Sequence, residues 1–415
     1  MRHVIIGAGP AGVTAAETLR KVDPAADITL LCGEGEPPYA RMAIPYLLKG
    51  DIDEAGTYIR KDADHYARLR ICLIQARAQA VDKTARVVEI GNGRSLPYDR
   101  LLVATGSRPS RERIPGIDLP GVQTCWTLND ARAIIARARP GTRIVQMGAG
   151  FVGCIIMEGL LSRGVDLTIL VRSGFMVRRM MNPTASGLIR RWCERKGVKI
   201  FTGTQPKSLR ADGGGLQVDL GDGRTLPADI YLSVVGVEPN LDFLAGSGVE
   251  IDRGILVDTT QQSNVPAVYA AGDVAESADC VTGERQLNAI QPNAVEQGRI
   301  AALNMAGRPA YFQGSLVFNV LTTLGLVASS FGQWQGTPGG ESTEVFDESR
   351  YRYLSLQFDC DRLVGANCVG LSEHVGALRG LIEGRLRLGA WKQRLQDDPS
   401  RIMQAYVAAA RGGVA

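Results

Sequence analysis

The sequence predicts an α/β fold that uses one βαβ unit twice and ends in a smaller α+β region. Three observations carry this. A strand, a glycine turn and a helix open the chain and return 141 residues later, from Gly7 to Gly148. Each copy is followed by a Gly-Arg-x-Leu-Pro turn that leads into an apolar strand. After Ala310 the pattern changes to short alternating segments and two amphipathic stretches.

In the first copy the apolar run Arg2–Ile6 is a buried strand, Pro10–Lys21 a helix and Ile28–Cys32 a second strand. In the second, Arg143–Met147, Phe151–Arg163 and Leu167–Val171 take the same places. The turn Asn92-Gly93-Arg94-Ser95-Leu96-Pro97 precedes strand Leu101–Val103 and then Ala104-Thr105-Gly106. Its counterpart, Asp222-Gly223-Arg224-Thr225-Leu226-Pro227, precedes strand Tyr231–Val235 and then Gly236-Val237-Glu238-Pro239. Beyond Ala310, Arg352–Phe358 is expected as a strand, and Ala377–Leu388 and Ile402–Ala410 as helices.

At 415 residues the chain exceeds what one core supports, so more than one domain is expected. Aromatics make up only 6% and no Lys/Arg block occurs, which argues against nucleic acid as a partner. The eight cysteines, Cys32, Cys72, Cys125, Cys154, Cys193, Cys280, Cys360 and Cys368, form no CxxC, and only His3, His65 and His374 are present. No metal site and no disulfide framework follows from that spacing. The weakly polar stretch Ser315–Phe331 holds Asn319, Thr322 and Thr323 and is not a membrane span. The expected location is the cytoplasm.

Chemistry concentrates at the glycine turns. In Gly7-x-Gly9-x-x-Gly12 the first glycine permits the tight turn, the second lets backbone amides reach a pyrophosphate, and the third lets helix and sheet pack closely. The helix dipole then faces the phosphates. Glu34, just past the second strand, stands where a carboxylate accepts hydrogen bonds from an adenosine ribose. The second fingerprint is Gly148-x-Gly150-x-x-Gly153. Its second strand ends in Val171 rather than an acid, with Arg172 next and Arg178-Arg179 further on. Arginines there neutralise the 2′-phosphate of NADP and favour NADPH, while NADH stays open. A third feature, Val268-Tyr269-Ala270-Ala271-Gly272-Asp273, places a carboxylate at a strand's C-terminal edge.

Together and in this order, these motifs resemble the FAD-dependent pyridine-nucleotide disulfide oxidoreductase superfamily, from Met1 to about Gly307. The resemblance implies two Rossmann-like dinucleotide-binding domains, for FAD and NAD(P), plus a C-terminal α+β interface domain. The expected boundaries are 1–112 with 244–310 for FAD, 113–243 for NAD(P) and 311–415 for the interface domain. It implies that Gly7, Gly9, Gly12 and Glu34 hold the adenosine diphosphate of FAD. Arg41 would contact a phosphate or the flavin, Val81 the adenine, and Ala104-Thr105-Gly106 the pyrophosphate. Asp273 would bind the ribityl chain, with Gln297 in the helix start under the flavin ring. Gly148, Gly150, Gly153, Arg172, Arg178 and Gly236 would hold NAD(P).

The departures matter as much. The segment Met42–Leu48 resembles an active-site helix in which a redox cysteine normally stands where this chain has Met42. A thioether cannot serve as a thiolate nucleophile or pass through a sulfenic acid. Ile155 occupies the place of a glutamate that many relatives carry beside the nicotinamide, and Glu158 follows one turn later. No catalytic acid or base is assigned; Met42 and Tyr46 are expected as flavin neighbours. The branch that remains resembles ferredoxin, rubredoxin and nitrite reductases. Its members are NAD(P)H:acceptor oxidoreductases that exchange single electrons with an iron–sulfur protein, or with iron–sulfur subunits of a complex such as a 2-oxoacid oxidoreductase. An NADH oxidase or quinone reductase using oxygen or a small acceptor is the alternative. A homodimer or a hetero-oligomeric complex is expected.

Overall fold

A computed structural model describes residues 1–91 and 93–412. Asn92, part of the repeated turn, and the last residues of the expected 311–415 region lie outside the described residues. The chain packs as two compact units. The first comprises Met1–Ala43, Ile52–Arg108 and Val237–Ser315; the second comprises Ile44–Asp51, Pro109–Gly236 and Leu316–Ala415. The stretches expected to bind NAD(P) and to form the C-terminal region thus share one unit.

The elements that matter run in chain order as β1 (Arg2–Ile6), α1 (Pro10–Val22), β2 (Asp27–Cys32), α2 (Ile44–Lys49), β3 (Ile71–Gln75) and β4 (Arg100–Val103). Next come β5 (Val122–Gln123), β6 (Arg143–Met147), α3 (Phe151–Leu161), β7 (Asp166–Val171), α4 (Pro183–Arg195), β8 (Lys199–Thr202) and β9 (Ile230–Ser233). The chain continues through β10 (Val268–Ala270) and α5 (Gln291–Met305). It ends with β11 (Phe318–Thr323), β12 (Leu326–Gly332), β13 (Glu341–Asp347), β14 (Arg352–Asp359), β15 (Arg362–Val369), α6 (Val375–Glu383), α7 (Ala390–Asp397) and α8 (Ile402–Ala410).

In the first unit a parallel sheet runs β10-β4-β1-β2-β3. Its strands are apolar on both faces, as a parallel sheet covered on both sides requires. One face carries Ile5, Ile28, Leu30 and Leu102 against α1 and α5, and the other carries Val4, Ile6, Leu31 and Val103. α5 crosses α1 so closely that a Cβ on Gly298 would lie 2.3 Å from the Ala11 carbonyl oxygen.

The second unit holds a parallel sheet in the equivalent order, β8-β7-β6-β9-β5. It also holds an antiparallel sheet, β11-β12-β15-β14-β13, in the C-terminal region. Three sequence expectations overran, among them the helix expected over Phe151–Arg163, which ends at Leu161 with Ser162 as its cap. The strand expected to reach Val235 ends at Ser233, because Val234 turns its carbonyl into the space beside Gly148, whose own Cβ position lies 2.1 Å away. The helix expected to reach Leu388 ends at Glu383, with Gly384 as its cap. Leu388 instead donates its N–H to Asp361 at the β14–β15 turn, at 2.9 Å. No helix among the described residues is long and apolar enough to cross a membrane.

Candidate dinucleotide-binding sites

The first glycine turn is shaped by backbone. Gly7 has φ +109°, and a Cβ there would sit 2.2 Å from the Ala104 carbonyl oxygen. A Cβ on Gly12 would lie 1.9 Å from the Gly7 carbonyl oxygen. Gly9, by contrast, meets nothing within 4 Å. It caps α1 without any side-chain hydrogen bond, so the N–H groups of the first turn are left for a ligand. Beside it Ala104 donates its N–H to Ile6 at 2.8 Å, and Thr105 and Asn240 exchange hydrogen bonds of 2.9 and 3.0 Å. Gly106 has φ +62°. Val81 is buried in a strand of a small antiparallel sheet.

Glu34 and Arg41, expected to serve different parts of FAD, meet directly. The Arg41 guanidinium pairs with the Glu34 carboxylate and also donates to the Tyr39 hydroxyl at 2.8 Å, while Tyr39 donates to Glu34. Burial acts to raise the Glu34 carboxyl, but Arg41 and Tyr39 outweigh it and hold it below its ordinary value.

At the β10 edge, partly buried Asp273 accepts a hydrogen bond from the Ser107 hydroxyl at 2.7 Å. Loss of hydration pushes its carboxyl up, with Ser107 and Arg41 pulling the other way. Gln297 is spent on the turn itself. Its carbonyl oxygen accepts the Gly272 N–H at 2.8 Å and its amide donates to Ser277 at 3.0 Å. Gln297 thus sets the turn that carries Asp273, a strut that sequence reading missed. The open Gly9 cradle, the uncapped α1 and the Ser107–Asp273 pair fit the phosphate and polyol portions of FAD.

In the second unit Gly148 has φ +108°, Gly150 meets nothing within 4 Å, and a Cβ on Gly153 would lie 2.5 Å from the Gly148 carbonyl oxygen. Gly150 caps α3 without a side-chain hydrogen bond. Gly236 has φ +128° with open space on its Cβ side. Arg172, Arg178 and Arg179 are exposed, and none makes an ion pair among the described residues. These groups fit a second dinucleotide.

Met42, in the first unit, is 48% exposed, and Tyr46, in the second, is 57% exposed. α2 packs on α3 within the second unit, where a Cβ on Gly159 would come 2.8 Å from Leu48 Cβ. Arg163 donates to the Leu48 carbonyl at 2.7 Å, and Lys49 pairs with Glu158 at 3.0 Å and Asp51 at 3.1 Å. Glu158 is therefore engaged with α2, while Ile155 is half-buried. Cys154 and Cys193 are fully buried, and burial pushes both thiols up, Cys193 to about 12.

The family model described as pyridine nucleotide-disulphide oxidoreductase matches residues 1–298. The chain belongs to this family. It is an FAD-dependent NAD(P)H oxidoreductase. It is 32% identical over 405 residues to the NADH-dependent phenylglyoxylate dehydrogenase subunit epsilon of Aromatoleum evansii, covering 97% of this chain and 96% of that one. It is 33% identical over 313 residues to the probable ferredoxin reductase CtmF of Castellaniella defragrans, covering 74% of this chain and 76% of that one. The solved covalent putidaredoxin reductase–putidaredoxin complex contains a chain with the same fold, at a TM-score of 0.91, 24% identity and 99% coverage of both chains.

Proposed function

We propose that this oxidoreductase is the flavin-bearing subunit of a dehydrogenase complex acting on a 2-oxo acid, moving electrons between an iron–sulfur subunit and NAD(P). The observation that carries the reading is the end-to-end correspondence, 97% of this chain and 96% of the other, with a subunit of a phenylglyoxylate dehydrogenase. Phenylglyoxylate is itself a 2-oxo acid, and the correspondence extends past residue 298, where the family model stops. The division into 1–112 with 244–310, 113–243 and 311–415, and the site residues named above, belong to the same proposal.

When bound, FAD exchanges a hydride with the nicotinamide and can pass electrons onward one at a time. The chain's own residues position and shield. The N–H groups at Gly9 and Gly150 hold the two pyrophosphates, and Asp273, fixed by Ser107 and Gln297, holds the polyol chain. Met42 offers no thiol, so no thiolate relay carries electrons away.

Purification of the chain from its native source tests the reading. Subunits carrying iron–sulfur clusters and 2-oxo-acid-dependent reduction of NAD(P) in the same fraction are expected. A chain that elutes alone and consumes reduced nicotinamide rapidly under air would favour the oxidase instead, the activity named in a Methanocaldococcus jannaschii relative 30% identical over 321 residues.

A further inference from the structure

Tyr231 and Ser233 stand two residues apart on β9 and so share one face of the strand. Both are buried, and both turn their hydroxyls to one carboxylate, that of Glu112. Tyr231 donates to its Oε1 and Oε2 at 3.0 and 2.9 Å, and Ser233 donates to Oε2 at 2.7 Å. Glu112 is half-buried and forms no ion pair among the described residues, so its charge is met by these two hydroxyls. Burial and the adjacent carboxylate push the Tyr231 phenol well above its ordinary value, which keeps it a donor.

Glu112 belongs to a strap that runs beside β9 inside the same unit. Ser110 donates its N–H to the Gly236 carbonyl at 2.9 Å, and Leu209 donates its own to the Pro115 carbonyl at 2.9 Å. A Cβ on Gly116 would lie 2.0 Å from the Leu209 carbonyl oxygen, so the strap is seated on the antiparallel strand Pro206–Asp212. It therefore grips the chain on both sides of the Val234–Gly236 turn, at Tyr231 and Ser233 before it and at Gly236 after it.

That turn borders the second glycine fingerprint. Ser233 is paired in register with Met147, the residue before Gly148, and Val234 donates its N–H to the Met147 carbonyl at 2.8 Å. Past that contact, Val235 is 37% exposed and Gly236 has φ +128° with open space on its Cβ side. The sheet order says which half of a dinucleotide passes here, because β6 lies between β7 and β9. With the pyrophosphate at the β6 turn and the adenosine end beyond β7, the nicotinamide half extends over the end of β9.

We propose that Glu112 is a positioning residue for the nicotinamide half of the dinucleotide, holding the Val234–Gly236 turn in place through Ser233 and Tyr231. Removing the carboxylate leaves two buried hydroxyls without their acceptor and frees the turn. The proposal rests on the reading that the Gly148–Gly153 turn holds the pyrophosphate. None of the three residues belongs to a glycine fingerprint, so the role is carried by their contacts.

Two measurements on the holoenzyme test this: anaerobic stopped-flow reduction of the flavin by saturating NADH or NADPH, and calorimetric titration with 5′-ADP, a probe without nicotinamide. Glu112→Ala is expected to slow reduction on the order of tenfold and to leave 5′-ADP affinity unchanged. Glu112→Gln keeps an acceptor oxygen and should recover part of the rate. Ser233→Ala loses one bond and little volume, should slow reduction severalfold, and replaces Glu112→Ala in the test if that variant does not fold. A wild-type rate in the alanine variant overturns the proposal. So does a 5′-ADP affinity that falls in step with the rate, because Glu112 then supports the whole sheet edge rather than the nicotinamide half. Wild-type holoenzyme that does not bind 5′-ADP overturns the dinucleotide reading itself.

Discussion

The two glycine turns of this molecule have the same backbone and different surroundings. Gly7 and Gly148 share φ values of +109° and +108°, and the capping glycines Gly9 and Gly150 both face open space. Underneath, the first turn rests on Ile5, fully buried among apolar neighbours, whereas the second rests on Gln146. Gln146 donates to the Gly148 and Gly153 carbonyls at 2.8 and 3.1 Å. At the end of the following strand, the first unit places Glu34, ion-paired with Arg41 and hydrogen-bonded by Tyr39, and the second places Arg172 without a carboxylate. The lesson is a division of labour. Under the proposed function, pyrophosphate is read by main-chain N–H groups that repeat, whereas the rest of the nucleotide is read by side chains that diverge.

The largest test of that division sets Gly12→Ala against Gly9→Ala. The first forces a Cβ to within 1.9 Å of a carbonyl oxygen that belongs to the turn itself. Its expected cost is about 3 kcal/mol or more, seen as a lowered Tm and flavin-free protein. Gly9→Ala meets nothing in the protein, so its Tm without cofactor should stay near wild type while FAD affinity falls. Equal thermal damage from the two would erase the distinction.

The first strands differ as well. His3 of β1 is fully buried with both ring nitrogens unpartnered, and burial lowers its pKa from 6.5 to about 4. Asp23 and Asp99 oppose that shift, and the N-terminus and Arg100 reinforce it. The folded state keeps the ring neutral while the unfolded chain takes a proton near pH 6.5. Stability is therefore complete above that pH and falls as pH drops towards 4, by up to about 3 kcal/mol. Melting at pH 7 and pH 4.5 should show this loss, and His3→Leu should flatten it. An unchanged pH slope in His3→Leu would assign the acid sensitivity elsewhere.

Gln146→Leu brings the second turn closer to the apolar footing of the first. It strands two glycine carbonyls but also removes a buried amide oxygen that lacks a partner. The net expected loss is about 1–2 kcal/mol, with nicotinamide binding weakened and flavin content kept. The smallest effect belongs to Arg41→Leu. The Arg41 and Glu34 side chains of this pair are 31% and 26% exposed, so its loss should cost about 1 kcal/mol or less. The stability that Glu34 contributes above its ordinary pKa, and loses as pH falls below it, should shrink with it. FAD affinity measured in the same variant reports whether Arg41 also touches the cofactor.

What was legible in the sequence follows the same line. The strand–glycine–helix units needed only apolar runs and glycines with positive φ, which are local properties. β1, β6 and α8 fall on the expected residues, and α1 extends one residue further, to Val22. What was not legible depends on distant partners. The Arg41–Glu34 pair is formed by a loop that folds back on itself, and the side chain of Gln297 is consumed at both ends by Gly272 and Ser277. Glu112 lies 119 residues from Tyr231 and carries no motif. The Ala377–Leu388 expectation missed a stop because the apolar period continues past Gly384, where Arg385 adopts φ +48°.

The most direct measurement is an anaerobic titration of the holoenzyme with reduced nicotinamide dinucleotide, followed by addition of its oxidised iron–sulfur partner, with free thiols counted throughout. The account predicts that the dinucleotide bleaches the flavin absorbance, that the partner restores it, and that no thiol is gained or lost. A flavin that neither NADH nor NADPH bleaches, or a thiol count that changes in step with it, would contradict an oxidoreductase whose electrons leave without a cysteine relay.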